Sequence, residues 1–393
     1  GKILEERDAA GNPIVWGEYH RVSPQHGRDL ILTLDRAVQF LVEEESKEAV
    51  AKYGALSGTV IILDPKTGAV WAMANYPSFD PAELVGEGVE GSKGSKGAEG
   101  VGGEEETGDE RRNLAIAATF EPGSVMKMIT MSAGIDTGQI TPQTTFYDAG
   151  PLTISGHTVD TWDGKHYGEE SMIEVLQHSN NVGAAWVAQQ LGVSTLREYL
   201  LKFGLGKSVG IDLEGEDTGV VKDASEWRAI DLATAAFGQG ISATPLQVAS
   251  AFAVVANDGV LMRPYLVARI LDGDKAVEIQ PQKVRRVLSS DNAEVILKML
   301  EAAVEGGESR FYNLPNYKVA GKTGTAQIPR EGRYDPRKTN ATFVGFFAKS
   351  RKFVMLVKLE EPSSSIYAAE TAVPTWMQIA KRLALYWGVE PDH

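Results

Sequence analysis

Cysteine is absent from the 393 residues, which excludes thiol catalysis and disulfide bonds and says nothing firm about compartment. No run of about 18 apolar residues occurs, so no segment reads as a membrane-spanning helix, and no signal peptide is visible. A basic excess is missing too. The net charge is −14, and without a basic stripe the chain is a poor candidate for binding nucleic acid. That charge is unevenly placed: residues 83–110, "ELVGEGVEGSKGSKGAEGVGGEEETGDE", set nine acidic side chains against Lys93 and Lys96, so −7 lies in this one segment. Rich in Gly and Glu and without an aromatic residue, the segment lacks the apolar surface to offset its ordering entropy. A flexible loop is expected over 85–110.

What is present suffices for a large core. The composition is 43% hydrophobic, enough for one big domain or two smaller ones. The opening stretch, residues 1–27, has no start methionine and little periodicity, and reads as the stump of a preceding domain. Asp35 is placed to cap a helix through "RAVQFLVEEESKEAVAKYG", with Val38, Leu41, Val42 and Val50 on its apolar side. "GTVIILDPKTGAVWAMA" joins two apolar runs through Asp64-Pro65-Lys66-Thr67-Gly68, a hairpin signature. Residues 112–259 are helical in character. Ser171/Glu174 and Thr244/Gln247 stand in capping-box spacing there, with Pro245 at a first helical position. Three runs near the other end, "YKVAGKTGTAQI", "ATFVGFFAKS" and "KFVMLVKLEEP", read as consecutive strands, and "AVPTWMQIAKRLALYWG" as a closing amphipathic helix. Strands from both chain ends with helices between predict an α+β architecture. Its sheet subdomain spans about 28–84 and 260–388, its inserted all-helical subdomain about 112–259, and the default site is the cleft between them.

Three short stretches bear chemistry. In "EPGSVMK", Ser124 and Lys127 are one helical turn apart, so the lysine amine can reach the serine hydroxyl. A serine is a weak nucleophile until a base takes its proton, and an ordinary lysine is protonated at pH 7. Burial or a second cation nearby lowers a lysine's pKa and makes it a base. Alone, S-x-x-K has a high false-positive rate. In "HSNNVGAA", Ser179 and Asn181 sit two apart at a helix end, which alone is explained by the use of Ser and Asn to end helices. In "AGKTGTA", a strand would set Lys322 and Gly324 on one face and Thr323 and Thr325 on the other; at a sheet edge it could pair with an extended peptide, whose backbone Gly324 would let come close. Lys66-Thr67-Gly68 repeats the K-T-G triplet, but the turn explains it. Gly321-Lys322-Thr323 is no phosphate loop, because Asn316 stands where that pattern needs glycine, and Gly206-Lys207-Ser208 fails likewise at Leu201.

S-x-x-K, a Ser-x-Asn triplet and K-T-G in this order are the signature of penicillin-binding proteins and class A β-lactamases. Together with "GRDLILTLDRAVQ", "TGAVWAMANYPSFDP", "FGQGISATPLQVASAFAVVANDG" and "ATFVGFF", they make residues 28–388 resemble the transpeptidase domain of class B penicillin-binding proteins, the division and elongation enzymes. The resemblance implies a penicillin-binding/β-lactamase-like fold with a central, mostly antiparallel five-stranded sheet flanked by helices. It implies peptidoglycan D,D-transpeptidation at the D-Ala-D-Ala end of a stem peptide through a serine acyl-enzyme, acylated and inhibited by β-lactams. Ser124 is then the nucleophile and Lys127 its base. Ser179 and Lys322 relay the proton to the leaving amine, and the backbone N–H groups of Ser124 and Thr325 form the oxyanion hole. Thr323 and Thr325 with Lys322 hold the substrate carboxylate, Asn181 fixes the substrate amide, and Gly324 belongs to the same binding strand. No cofactor or metal is implied, and the six histidines show no metal-ligand spacing. A membrane glycosyltransferase within a cell-wall synthesis complex is the implied partner. The implied location is the extracytoplasmic, periplasmic face of the inner membrane, held by an N-terminal anchor that precedes this sequence. Asn180 stands where Ser or Asp is usual, a variable position at which little consequence is expected. Gln239, Trp162, Tyr334 and Arg333 are further candidates for the cleft wall. The alternatives are a serine β-lactamase, which needs a water-activating base absent here as an E-x-x-x-N segment, and a β-lactam sensor or inactive scaffold.

Overall fold

The computed structural model describes residues 1–79, 112–330 and 333–392; the expected loop at 85–110 lies outside them. The chain divides into two compact units, Gly1–Leu32 with Val267–Gln280, and Thr33–Leu266 with Pro281–His393. In the smaller unit, Lys2–Glu5 pairs antiparallel with Tyr19–Val22. Val267–Asp272 pairs with both Asp29–Leu32 and Lys275–Glu278. That three-stranded ladder holds residues 29–32 to 267–278, which fall in the smaller unit where the sequence predicts the sheet subdomain.

The larger unit is built on eleven principal elements. In chain order they are α1 (Arg36–Tyr53), β1 (Ser57–Leu63), β2 (Val70–Tyr76), α2 (Lys127–Asp136), α3 (Asn181–Lys202) and α4 (Pro245–Ala256). They continue with α5 (Ser290–Gly306), β3 (Val319–Arg330), β4 (Arg333–Phe347), β5 (Val354–Glu360) and α6 (Ala372–Tyr386). The five strands form one sheet in the order β3-β4-β5-β1-β2 with every pairing antiparallel, so both chain ends contribute to it.

The local chemistry fixes these elements. Asp35 caps α1 by accepting from the N–H groups of Ala37 and Val38. Asp64 sets the β1–β2 turn, its carboxylate accepting from the Lys66 N–H and the Thr67 hydroxyl, so this K-T-G is structural. β1 is buried along its whole length because helices cover both sheet faces. Its alternate residues enter different cores: Ile61 and Leu63 join a cluster with α2, α3 and α4, while Val60 and Ile62 join one with α1 and α6. α4 is apolar around its circumference and buried at every position but Ala253, as a helix enclosed on all sides must be. In the second core Trp376 of α6 is fully buried and donates its indole N–H to the Met355 carbonyl at 2.9 Å.

The stretch between β2 and β3 carries more than helices. Thr145–Asp148 pairs with Gly168–Ser171, and Leu152–Ile154 with His157–Val159, in two short ladders that precede the helix Met172–Gln177. Among the described residues no helix is long and apolar enough to cross a membrane.

Candidate active site

The three sequence stretches meet on the larger unit at a cavity of about 730 Å³. Ser124, Ser179, Asn181, Thr323 and Thr325 line it, as do Gln239, Trp162 and Tyr334. Ser124 lies on a single 3₁₀ turn, Gly123–Met126, that runs into α2 at Lys127. Gly123 enters that turn at φ +61°, where an L side chain would be strained. Gly324 on β3 faces the same turn: a Cβ there would lie 2.8 Å from the Pro122 carbonyl oxygen and 3.0 Å from a Val125 methyl. Its missing side chain therefore lets the Ser124 turn seat against β3, rather than opening the strand toward a ligand.

Lys127 is wholly buried, and its Nζ is surrounded by oxygen. It lies 2.9 Å from Ser124 Oγ, 2.8 Å from Asn181 Oδ1, and 2.5 and 3.2 Å from the carbonyl oxygen and Oγ of Ser179. Burial holds its pKa well below the usual lysine range, and the Lys322 charge pushes the same way; Glu308 and Glu170 oppose them. Lys322, buried on β3, lies 3.0 Å from Ser179 Oγ and 3.0 Å from Thr323 Oγ1. Burial lowers its pKa as well, against the opposing charge of Glu308. Ser179 Oγ thus stands between two amines, and a continuous chain of contacts runs Ser124–Lys127–Ser179–Lys322–Thr323.

Ser179 reaches this position at φ +55°, a left-handed conformation that costs an L residue about 1–2 kcal/mol. The next residue holds it there. Asn180 is fully buried and caps α3 by accepting from the Gly183 N–H at 3.0 Å. Its amide donates to Asp148 Oδ2 at 2.8 Å and Glu170 Oε2 at 2.5 Å, two buried carboxylates. His166 Nδ1 meets the other Asp148 oxygen at 3.0 Å, and His178 Nδ1 meets Glu170 at 2.7 Å while stacking on Tyr167. The expectation of little consequence at Asn180 is corrected: its two amide protons separate two acids.

Two further side chains are more engaged than the sequence suggests. Asn181 uses Oδ1 on Lys127 and Nδ2 on the Asp160 carbonyl at 2.9 Å. The Thr323 hydroxyl donates to Glu308 Oε2 at 2.6 Å, whereas the Thr325 oxygen accepts from the Ala368 N–H at 3.1 Å and keeps its proton to give. Glu308 escaped the sequence reading because it belongs to no motif and meets Thr323 only through the fold. No group of three or more His, Cys, Asp or Glu residues among the described ones could hold a metal ion.

A serine hydroxyl beside a buried amine, backed by a second serine and a second lysine, is the arrangement that lysine-assisted activation of a serine requires. The chain belongs to the penicillin-binding protein transpeptidase family, whose domain it matches over residues 58–381. It is 32% identical to stage V sporulation protein D of Bacillus subtilis over all of this chain and 59% of that protein. It is 32% identical to the penicillin-binding protein PbpB of Mycobacterium tuberculosis over 97% of this chain and 55% of that one. The chain thus spans somewhat more than half the length of these relatives. A crystal structure of penicillin-binding protein 3 from Mycobacterium tuberculosis in complex with aztreonam is similar at TM-score 0.83 and 30% identity, covering all of this chain and 89% of that one.

Proposed function

We propose that the protein is a peptidoglycan D,D-transpeptidase that cross-links stem peptides through an acyl-enzyme on Ser124 and is inhibited by β-lactams. The observation that carries this reading is the 2.9 Å contact between Ser124 Oγ and a fully buried Lys127 amine. The free amine takes the Ser124 proton as Oγ attacks the carbonyl of the penultimate D-Ala. The resulting oxyanion falls to the backbone N–H groups of Ser124 and Thr325. As the C–N bond breaks, the proton passes from Lys127 through Ser179, beside Lys322, to the departing D-Ala amine. An amine from a second stem peptide then attacks the ester, frees Ser124 and completes the cross-link. Lys322 and the Thr325 hydroxyl receive the substrate's terminal carboxylate. Thr323 supports them from one side, and Asn181 braces Lys127 and the rim residue Asp160. In the cell the protein works at the outer face of the cytoplasmic membrane, anchored N-terminally and alongside a glycosyltransferase.

The test is an exchange assay. A stem peptide ending in D-Ala-D-Ala is incubated with a D-amino acid acceptor, and products are followed by mass spectrometry. Loss of one D-Ala with acceptor joined in its place is expected from the wild type and not from Ser124→Ala. No exchange, together with rapid turnover of benzylpenicillin to penicilloate, would make the protein a β-lactamase instead.

A further inference from the structure

Glu308 opens the short 3₁₀ turn Glu308–Tyr312 that follows α5, and its half-buried side chain lines the cavity wall. Its carboxylate takes the Thr323 proton at 2.6 Å, and the same Thr323 oxygen faces Lys322 Nζ at 3.0 Å. Beyond it lies a second cavity of about 460 Å³ whose charged or titratable neighbours are Asp163, Lys165, His178, Arg310 and Glu370, with the tyrosines Tyr167, Tyr312 and Tyr367. Lys165 is paired with Asp163 at 3.0 Å and His178 with Glu170 at 2.7 Å. On the reaction side, Lys322 and Lys127 are within electrostatic reach of Glu308, and Lys127 also of Glu170.

We propose that Glu308 is the charge-setting and positioning residue of the site: through Thr323 it orients the Lys322 ammonium and acts as its resident counter-ion. This rests on the transpeptidase reading for its consequence, though not for its geometry. The hydrogen-bond chain has a direction at this end. Because Thr323 gives its proton to Glu308, its oxygen can only accept from Lys322, which fixes the amine between Thr323 and Ser179. The Glu308 charge also favours the protonated form of both lysines, against the burial that disfavours it. A site that needs Lys127 as free base and Lys322 as ammonium therefore has its working pH set partly from residue 308. Glu308 also stands beside the seat proposed for the substrate carboxylate, so it opposes anionic ligands there.

Glu308→Gln keeps an acceptor for Thr323 and removes the charge. Two measurements test it. The first is titration of selectively ¹³C-labelled lysine side chains by NMR, which needs no catalysis. In Glu308→Gln the Lys322 and Lys127 transitions are expected to move down by about one pH unit, and Glu308→Asp to restore them. The second is the pH profile of benzylpenicillin acylation, where both limbs are expected to move to lower pH together, raising the rate on the acid side up to about tenfold. A purely structural role would lower the rate at every pH and leave the limbs in place. Unmoved lysine titrations would overturn the proposal even if acylation proceeds. Moved titrations with no adduct on the wild-type protein would support it and remove the transpeptidase reading alone. If Glu308→Gln does not fold, Glu308→Asn makes the same charge change for both readouts.

Discussion

Replacing Asn180 by Asp exchanges one atom group and should disable the turn that carries Ser179. The new carboxylate can still cap α3 through the Gly183 N–H, so the helix end itself is not what fails. The amide protons are lost. In the native protein they go to Asp148 and Glu170, which are 2% and 1% exposed, so neither acid has water to turn to. Each hydrogen bond to a charged group contributes about 1.5–3 kcal/mol. Asp148 and Glu170 keep their histidine contacts, but losing both amide bonds and adding a third acid beside them puts the loss at about 3–5 kcal/mol. At about 2.1 cal/mol/K per residue, a chain of this length unfolds with an entropy near 0.8 kcal/mol/K, so the midpoint should fall by about 4–6 °C. Scanning calorimetry at neutral pH reads this directly. Acylation by benzylpenicillin should slow more than stability alone explains, because Ser179 depends on this turn for its left-handed conformation. Asn180→Ala adds no charge and should cost less than Asn180→Asp. If Asn180→Asp melts within about 1 °C of wild type, the two acids are not held apart by this amide and the account of the turn is wrong.

Lys322→Ala removes one of the two causes that depress Lys127, so the acid limb of the acylation profile should move to higher pH; a profile reduced in height but unmoved would refute that coupling. Gly324→Ala should push the Ser124 turn off β3 and cut the acylation rate at least tenfold while the sheet stays folded by circular dichroism, since the added methyl meets backbone 2.8 Å away. Glu121 accepts from Tyr334 at 3.0 Å and from the Gly240 N–H at 2.9 Å, and burial raises its pKa. A carboxyl whose folded pKa lies above its unfolded value of 4.5 adds stability that is fully present below 4.5 and lost as pH rises through the folded value. Glu121→Gln should therefore match or exceed wild-type stability at pH 7 and lose that advantage near pH 4; a mutant less stable than wild type at pH 7 would contradict the sign.

The legible parts of this molecule are those written at short range. The Asp35, Ser171 and Thr244 caps, the Asp64 turn and the Ser124–Lys127 pair all join residues at most four apart, and all were readable. All five strands of the large sheet are equally clear as apolar runs, and strands at both chain ends imply one shared sheet. What stayed hidden is made by the fold. Little consequence is expected from Asn180 in place of the usual Ser or Asp because its partner Asp148 is 32 residues away. Thr323 looked like a ligand-binding hydroxyl because Glu308, 15 residues earlier, carries no motif. Gly324 is expected from sequence to admit a bound peptide's backbone, whereas the backbone packed against it is the protein's own Pro122. The ladders between residues 145 and 171 escaped because strands of three or four residues are too short to show a period.

The most direct measurement is intact-mass spectrometry of the protein with benzylpenicillin, wild type beside Ser124→Ala, followed over hours with peptide mapping. One penicilloyl adduct on Ser124 that persists in the wild type and never forms in the mutant is the expected result. An adduct elsewhere, or one formed equally by Ser124→Ala, would contradict the assignment of Ser124 and Lys127 as nucleophile and base.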